Sequence, residues 1–203
     1  ATNIPYMFYF PVDDIEIAGA SPETLVKLDH GKLSTFPLAG TRPRGKTPEE
    51  DKELEADLHQ DEKELAEHNM LVDLGRNDIG KISELGSVKV EKYLTVERYS
   101  CVMHLGSTVT GTIKKGKDAI DAVDAILPAG TFHGAAEIPC LPDHSGTGTK
   151  QERHLRRCNR ICGFTGNLDV CIAIRLVYKK KDEICIRSGA GIVADSVPEK
   201  EFE

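Results

Sequence analysis

The chain has 203 residues, 39% of them hydrophobic and 29% charged, with a formal net charge of −7. That composition can fill a core in one large domain or two small ones and excludes a disordered chain, while the acidic excess argues against a dedicated nucleic-acid binder, which needs a basic face. A charged-then-apolar leader and an apolar run of about 18 residues are both missing, so neither secretion nor membrane spanning is expected and the cytoplasm is the expected compartment.

In chain order, residues 5–10 and 15–19 run apolar around Pro11, Asp13 and Asp14, which predicts a hairpin. ETLVKLDHGKLSTFPL predicts two short strands about Asp29-His30-Gly31. Thr47-Pro48-Glu49-Glu50 sets a hydroxyl N-cap before proline and a glutamate at the third helical position, a capping-box pattern. The helix it starts carries Leu54 and Leu58, kinks near Gln60-Asp61, and continues through Leu65, Met70, Leu71 and Leu74 to an expected end at Gly75. VKVEKYLTVERYSCVMHLGSTVTGTI predicts two or three strands, DAIDAVDAILP a short helix, and DVCIAIRLVYKKKDEICIRSGAGIV a hairpin turning at Lys180-Lys181-Asp182. Strands and helices mix without regular βαβ spacing, which predicts an α+β fold with antiparallel sheet. The ends, ATNIPYMFYF and PEKEFE, look like those of a piece cut from a longer chain.

Cysteines stand at positions 101, 140, 158, 162, 171 and 185 with no CxxC pair, so free thiols are expected and the ligand spacing that zinc favours is absent. The basic stretch RHLRRCNRIC, Arg153 to Cys162, stands out against the acidic background.

Six segments, FPLAGTRPRGKTPEED, KELAEHNMLVDLGRNDIGK, VERYSCVMHLGSTVTG, LPAGT, GNLDVCIAIR and SGAGIVADSVPEKEFE, resemble the chorismate-utilising enzymes. LVDLGRNDIGKI and TRPRGKTPEED are most similar to the anthranilate synthase large-subunit branch. The resemblance spans nearly the whole chain. It implies two large antiparallel β-sheets flanked by helices, an active site between them, chorismate as substrate, and Mg²⁺ as cofactor.

Residue by residue, the resemblance makes Glu67 a Mg²⁺ ligand with Glu64 beside it and Glu201 in a second acidic pair. On spacing alone, Glu64 and Glu67 could equally be a solvated face of a glutamate-rich helix. Arg175 becomes the guanidinium for a substrate carboxylate, where a planar fork bonds two oxygens. Gly189, Ala190 and Gly191 offer backbone N–H groups to an anion, and Gly40, Thr41 and Thr131 lie against the substrate. His104 becomes the acid–base group near the leaving ring hydroxyl, although a lone histidine in an apolar strand is also an ordinary core residue. Pro5, Tyr6 and Met7 match part of a feedback pocket for L-tryptophan and, as bare sequence, begin an edge strand.

Ala39 stands where aminodeoxychorismate synthases commonly carry a nucleophilic lysine, which implies an external nucleophile. In the anthranilate synthases this is ammonia from a glutamine amidotransferase subunit; the isochorismate and salicylate synthases use water and share PLAGT. The alternatives are therefore a water-using synthase or a non-catalytic fragment.

Residues 136–162 depart from the family wording while keeping its spacing. One choice of codons for Arg153–Cys162 reads GIYGGAIGY, a family motif, in the +1 frame, so this segment is expected to derive from out-of-frame reading. The family's YGG tyrosine then falls at Leu155 and a family lysine at Glu137. Pro139, Pro142, Gly146 and Gly148 oppose regular structure, and a poorly ordered loop is expected.

Overall fold

The structure, a computed structural model, describes residues 5–127, 129, 158–162 (backbone), 166–186, 197 and 199. It is α+β, with two antiparallel sheets. Strands β1 (Tyr6–Val12) and β2 (Ile15–Ser21) form the expected hairpin, with Asp13 in the left-handed region that aspartate tolerates. They join β10 (Leu176–Lys180) and β11 (Glu183–Ile186) in a four-stranded sheet of order β1-β2-β10-β11, so β1 is an edge strand.

Among the described residues the larger sheet has seven strands, in the order β5 (Leu38–Pro43), β7 (Val102–Thr112), β4 (Lys32–Thr35), β3 (Thr24–Asp29), β9 (Leu168–Ile172) and β8 (Cys158–Cys162), with β6 (Lys89–Arg98) paired to β7. Strands β3 (Thr24–Asp29) and β4 (Lys32–Thr35) turn through His30 and Gly31, both at positive φ, as a two-residue hairpin requires. The axis of the sheet is β7 (Val102–Thr112). One of its edges takes β5 (Leu38–Pro43) and β4 in tandem, and β6 (Lys89–Arg98) takes the other.

Helix α1 (Pro48–Gln60) begins at Thr47, whose hydroxyl accepts from the Glu50 amide at 3.2 Å. The Glu50 carboxylate accepts from Lys46 at 2.6 Å, so the reciprocal half of the expected capping box closes one residue early. Asp61 ends α1 and caps α2 (Glu62–Ile82), accepting from the amides of Lys63 and Glu64. The predicted kink is thus a break between two helices, with one aspartate serving both ends.

Helix α2 does not stop at Gly75. A Cβ there would lie 3.2 Å from Thr35 Cγ2 and 3.4 Å from Pro37 Cγ, so this glycine serves close helix–sheet packing within the helix rather than its termination. Val72, Ile79 and Ile82 of α2 meet Leu25, Val26, Leu28 and Leu33 of the sheet and Val123 and Ile126 of α3 (Ala119–Ile126) in the main core. A second cluster, Leu58, Met103 and Leu105, seats α1 on β5 and β7.

Two further expectations are corrected. The C-terminal strand run is not one hairpin: β9 (Leu168–Ile172) pairs with β3 in the large sheet, and only β10 and β11 form the hairpin turning at Lys181-Asp182. Arg175, at φ 50°, breaks the extended run between β9 and β10. The loop expected up to residue 162 also fails at its end, where Cys158–Cys162 forms β8 by pairing with β9; residues 136–157 lie outside the described ones.

Leu58 is the one fully buried side chain of α1. Leu58→Ala should lower unfolding free energy by about 2–5 kcal/mol, from lost transfer energy and the cavity left behind, measured by urea titration. A loss below about 1 kcal/mol would show that α1 is not held by this contact.

Candidate functional site

The site grows from an irregularity in β5. Ala39 pairs with Leu105 and Thr41 with His104, so Gly40 is an extra residue, a β-bulge, at φ +74°. A side chain at Gly40 would meet Leu58 and Leu105 at 3.1 and 3.2 Å and Glu64 Oε2 at 3.4 Å. The bulge therefore brings the Gly40-Thr41 backbone, the Glu64 carboxylate and the His104 ring to one place.

His104 is half-buried. Its Nδ1 lies 3.2 Å from the Gly40 carbonyl and 3.0 Å from Thr41 Oγ1, and its ring meets Tyr99 edge-on. A carbonyl only accepts, so Nδ1 carries the proton and Nε2 is left with its lone pair. Burial lowers the imidazole pKa, opposed by the Gly40 bond and helped by the positive charge of Arg175, so the ring is neutral at neutral pH.

Glu64 and Glu67 lie three apart near the start of α2, both half-buried. Burial raises the pKa of Glu64, and repulsion from Glu67 and then Asp61 adds to it. Two carboxylates in mutual repulsion suit a divalent cation, which would relieve that repulsion. No cluster of three or more metal-ligating side chains exists among the described residues. The pair is aimed by Arg42, which donates to Asp57 at 2.6 Å and to the capping Asp61 at 2.7 Å.

Glu23 and Arg175 stand where the chain passes between the sheets. One crossing leads from β2 into β3 through Pro22-Glu23, the other from β9 into β10 through residues 173–175. Two backbone bonds join the crossings, Ile172 N–H to Glu23 O at 3.0 Å and Ala20 N–H to Arg175 O at 3.1 Å. The charge of Arg175 acts on Glu23, Tyr99 and His104. Burial pushes the Glu23 carboxyl up to about 7, with Arg175 acting against the rise. Sequence reasoning missed Glu23. Its signal was an acid set in the apolar run AGASPETLV, at the junction of two strands.

The structure thus brings together Gly40, Thr41, Glu64 and His104; Glu67 lies three residues beyond Glu64 on α2, and Arg175 stands at the sheet crossing. Thr131, Gly189, Ala190, Gly191 and Glu201 lie outside the described residues. Pro5 precedes β1; Met7 is exposed on it; Tyr6 donates its hydroxyl to Asp169 at 2.5 Å and contacts Thr24 Oγ1 at 2.7 Å, clasping the small sheet to the large one.

Paired carboxylates, a histidine fixed in one tautomer and an arginine at a sheet crossing thus sit in an antiparallel two-sheet α+β fold. The model of the chorismate binding enzyme family matches residues 1–140 and 160–203, and the chain belongs to that family. The unmatched stretch falls inside 136–162 and is narrower than the sequence departure suggested. Anthranilate synthase component 1 of Aquifex aeolicus (strain VF5) is 48% identical over 199 residues, 98% of this chain and 40% of the relative. The protein of the same name from Bacillus subtilis (strain 168) is 46% identical, with 39% of its length covered. The chain therefore spans about two-fifths of the length of these relatives. The crystal structure of anthranilate synthase component I from Streptococcus pneumoniae TIGR4 superposes with a TM-score of 0.87 at 43% identity, over 98% of this chain and 43% of that one. The menaquinone-specific isochorismate synthase of Escherichia coli shares the fold, with a TM-score of 0.83 at 21% identity over 97% of this chain and 45% of that one. No described helix is long and apolar enough to cross a membrane.

A carboxyl whose folded pKa is raised stabilises the protein fully below its unfolded pKa and loses that contribution as pH climbs through the folded one. Glu23 should therefore cost stability between about pH 4.5 and 7, up to on the order of 3 kcal/mol. Glu23→Gln should remove that slope in denaturant titrations across the window, and a ¹³C-detected titration of the wild type should place the Glu23 midpoint near 7. A midpoint near the ordinary glutamate range would show that the carboxyl is solvated.

Proposed function

We propose that the protein acts as the large subunit of an anthranilate synthase, converting chorismate and ammonia to anthranilate and pyruvate. The observation that carries this is the Gly40 bulge, which sets a neutral, tautomer-fixed His104 beside the Glu64 carboxylate, in a chain 48% identical to a protein named anthranilate synthase component 1. Chorismate carries two carboxylates; Arg175 is the cationic group for one of them. Ammonia adds at ring carbon C2 as the hydroxyl leaves C4, and pyruvate is then eliminated to give the aromatic ring.

Two groups handle the protons in complementary ways. Glu23, protonated up to about pH 7, donates to the departing hydroxyl, which leaves as water. His104, neutral with Nε2 free, accepts a proton beside the ring as the acid–base partner. The water-excluding neighbours are Leu58 and Leu105 beneath Gly40. Glu64 and Glu67 would hold Mg²⁺, with Glu201 as a further ligand, and when bound the ion neutralises a substrate carboxylate.

Ala39 offers no side-chain nucleophile, so ammonia comes from outside, from a glutamine amidotransferase partner. Gly189, Ala190 and Gly191 would supply N–H groups to the substrate, with Thr131 and Thr41 as further contacts. Pro5, Tyr6 and Met7 would form part of an L-tryptophan pocket. Location in the cytoplasm accords with a biosynthetic role.

In the full-length protein, with the family wording restored across 136–162, ammonium salts at alkaline pH should support anthranilate fluorescence from chorismate without any partner, because free NH₃ rises with pH. Conversion to isochorismate or salicylate at a rate indifferent to ammonium would replace this assignment with the water-using one. Glu67→Ala should cost several kcal/mol in kcat/KM, on the order of a thousandfold, and raise the Mg²⁺ needed for half-maximal rate. Near-normal turnover at saturating Mg²⁺ would make Glu67 a solvated helix residue.

A further inference from the structure

Between β6 and β7 the chain makes a short turn through Tyr99, Ser100 and Cys101, closed by the Tyr99 amide, which donates to the Val102 carbonyl at 2.8 Å. Tyr99 carries the ring that meets His104, with centroids 5.5 Å apart and planes at 64°. The imidazole needs such a neighbour. Among the described residues its hydrogen bonds, to the Gly40 carbonyl and Thr41 Oγ1, both run through Nδ1. A ring held at one nitrogen can still turn about its Cβ–Cγ bond, whose torsion is broad and roughly two-fold.

What holds the turn is Arg44. Its amide donates to the Cys101 carbonyl at 3.0 Å, one step past the Pro43–Val102 pair that ends the β5–β7 ladder. Its guanidinium then divides between two partners: Nη1 donates to the Tyr99 carbonyl at 2.8 Å, while Nε and Nη2 reach Asp51 Oδ2 at 3.0 and 2.5 Å. Asp51 lies in the first turn of α1 and also accepts the Gly45 amide at 2.6 Å. A Cβ at Gly45 would lie 2.4 Å from the Asp51 nitrogen, so the chain passes there too closely for a side chain. Arg98, beside Tyr99, pairs with Glu55 one turn further along α1. The planar fork of Arg44 matters, because an ammonium is a point charge and cannot hold carbonyl and carboxylate in the same geometry.

We propose that Tyr99 is a positioning residue for His104: Arg44 pins the Tyr99 backbone between the end of β5 and the start of α1, and the Tyr99 ring then braces the imidazole so that Nδ1 stays on the Gly40 carbonyl. The bulge supplies the acceptor and Tyr99 supplies the wall. The Tyr99 hydroxyl is not required for this. The kinetic half of the inference rests on the acid–base role given to His104 above; the structural half stands on the ring contact and the Arg44 bonds.

The test uses the same full-length protein and three readouts: thermal unfolding, the long-range ¹H–¹⁵N spectrum of the His104 ring, and steady-state kinetics with chorismate and ammonium. Tyr99→Leu removes the ring. It is expected to turn the single His104 tautomer into a mixture and to lower kcat about tenfold to a hundredfold, with KM for chorismate changed by no more than about threefold. Tyr99→Phe restores the ring without the hydroxyl and should recover the single tautomer and most of the kcat. Arg44→Lys keeps the charge beside Asp51 and gives up the fork, so it should loosen His104 in the same direction, and it serves as the test should Tyr99→Leu fail to fold. A single Nδ1-protonated His104 in Tyr99→Leu, or in Arg44→Lys, overturns the proposal. So does a kcat loss in Tyr99→Phe as large as that in Tyr99→Leu, which would make the hydroxyl a substrate contact. If the wild type forms no anthranilate, the functional assignment fails, while the ring spectrum still decides whether Tyr99 braces His104.

Discussion

One extra residue in one strand sets the geometry of the site. β7 carries three partners along its length, and β5 can follow it past His104 only by inserting Gly40 out of register at positive φ. A Cβ there would crowd the leucines that seat α1, at 3.1 and 3.2 Å, and touch the Glu64 carboxylate at 3.4 Å. The same bulge therefore fixes how closely α1 approaches the sheet, where α2 presents its first acids, and which backbone carbonyl meets the histidine. A bulge is a local loss of ladder hydrogen bonding, and here the freed carbonyl is the one that fixes the His104 tautomer.

Stability and direction come from different sources in this half of the molecule. Leu58, Met103 and Leu105 bury apolar area, worth about 1.5–3 kcal/mol for each side chain removed from water. The ion pairs above them, Arg42 with Asp57 and Asp61, Arg44 with Asp51, and Arg98 with Glu55, are partly solvated and individually worth far less. They constrain orientation. Arg42, two residues past the bulge, grips the aspartate that ends one helix and begins the next, so the start of α2 follows β5 and its glutamates follow with it.

What could be seen in the sequence was local chemistry. The β1–β2 and β3–β4 hairpins are written in their turn residues, α1 in Thr47-Pro48, and the break between helices at Asp61. Signals failed where packing overrode them. Gly75 looked like a stop and is a contact point against Thr35 and Pro37. The run from Asp169 to Lys180 looked like a single strand arm, yet it divides between two sheets at a left-handed arginine, which no periodicity marks. Within the site, residue pattern alone left Gly40, Glu64 and His104 with ordinary explanations, and the family resemblance singled them out. Glu23 escaped both, because its distinction is burial against a cation, a property of the assembled sheets.

The position of Glu23 explains why its proton matters. A chain segment that crosses between sheets leaves one ladder before it joins the next, so its side chains are not committed to either core. Both crossings here carry a charged group, and backbone hydrogen bonds hold them side by side. Were Glu23 ionised at neutral pH, it would pair with Arg175 and cancel the charge available to an anionic ligand. Burial pushes the carboxyl up to about 7, so at weakly acidic pH the acid holds its proton and leaves the guanidinium charge unopposed by Glu23, and at neutrality it is about half ionised. The arginine also stands at the joint between the large sheet and a small one whose side chains, Ser21 apart, are exposed or half-buried, tied across by Tyr6 and Asp169. On the roles proposed for them, Arg175 depends on how the two sheets are held together, whereas the His104 tautomer depends on the bulge.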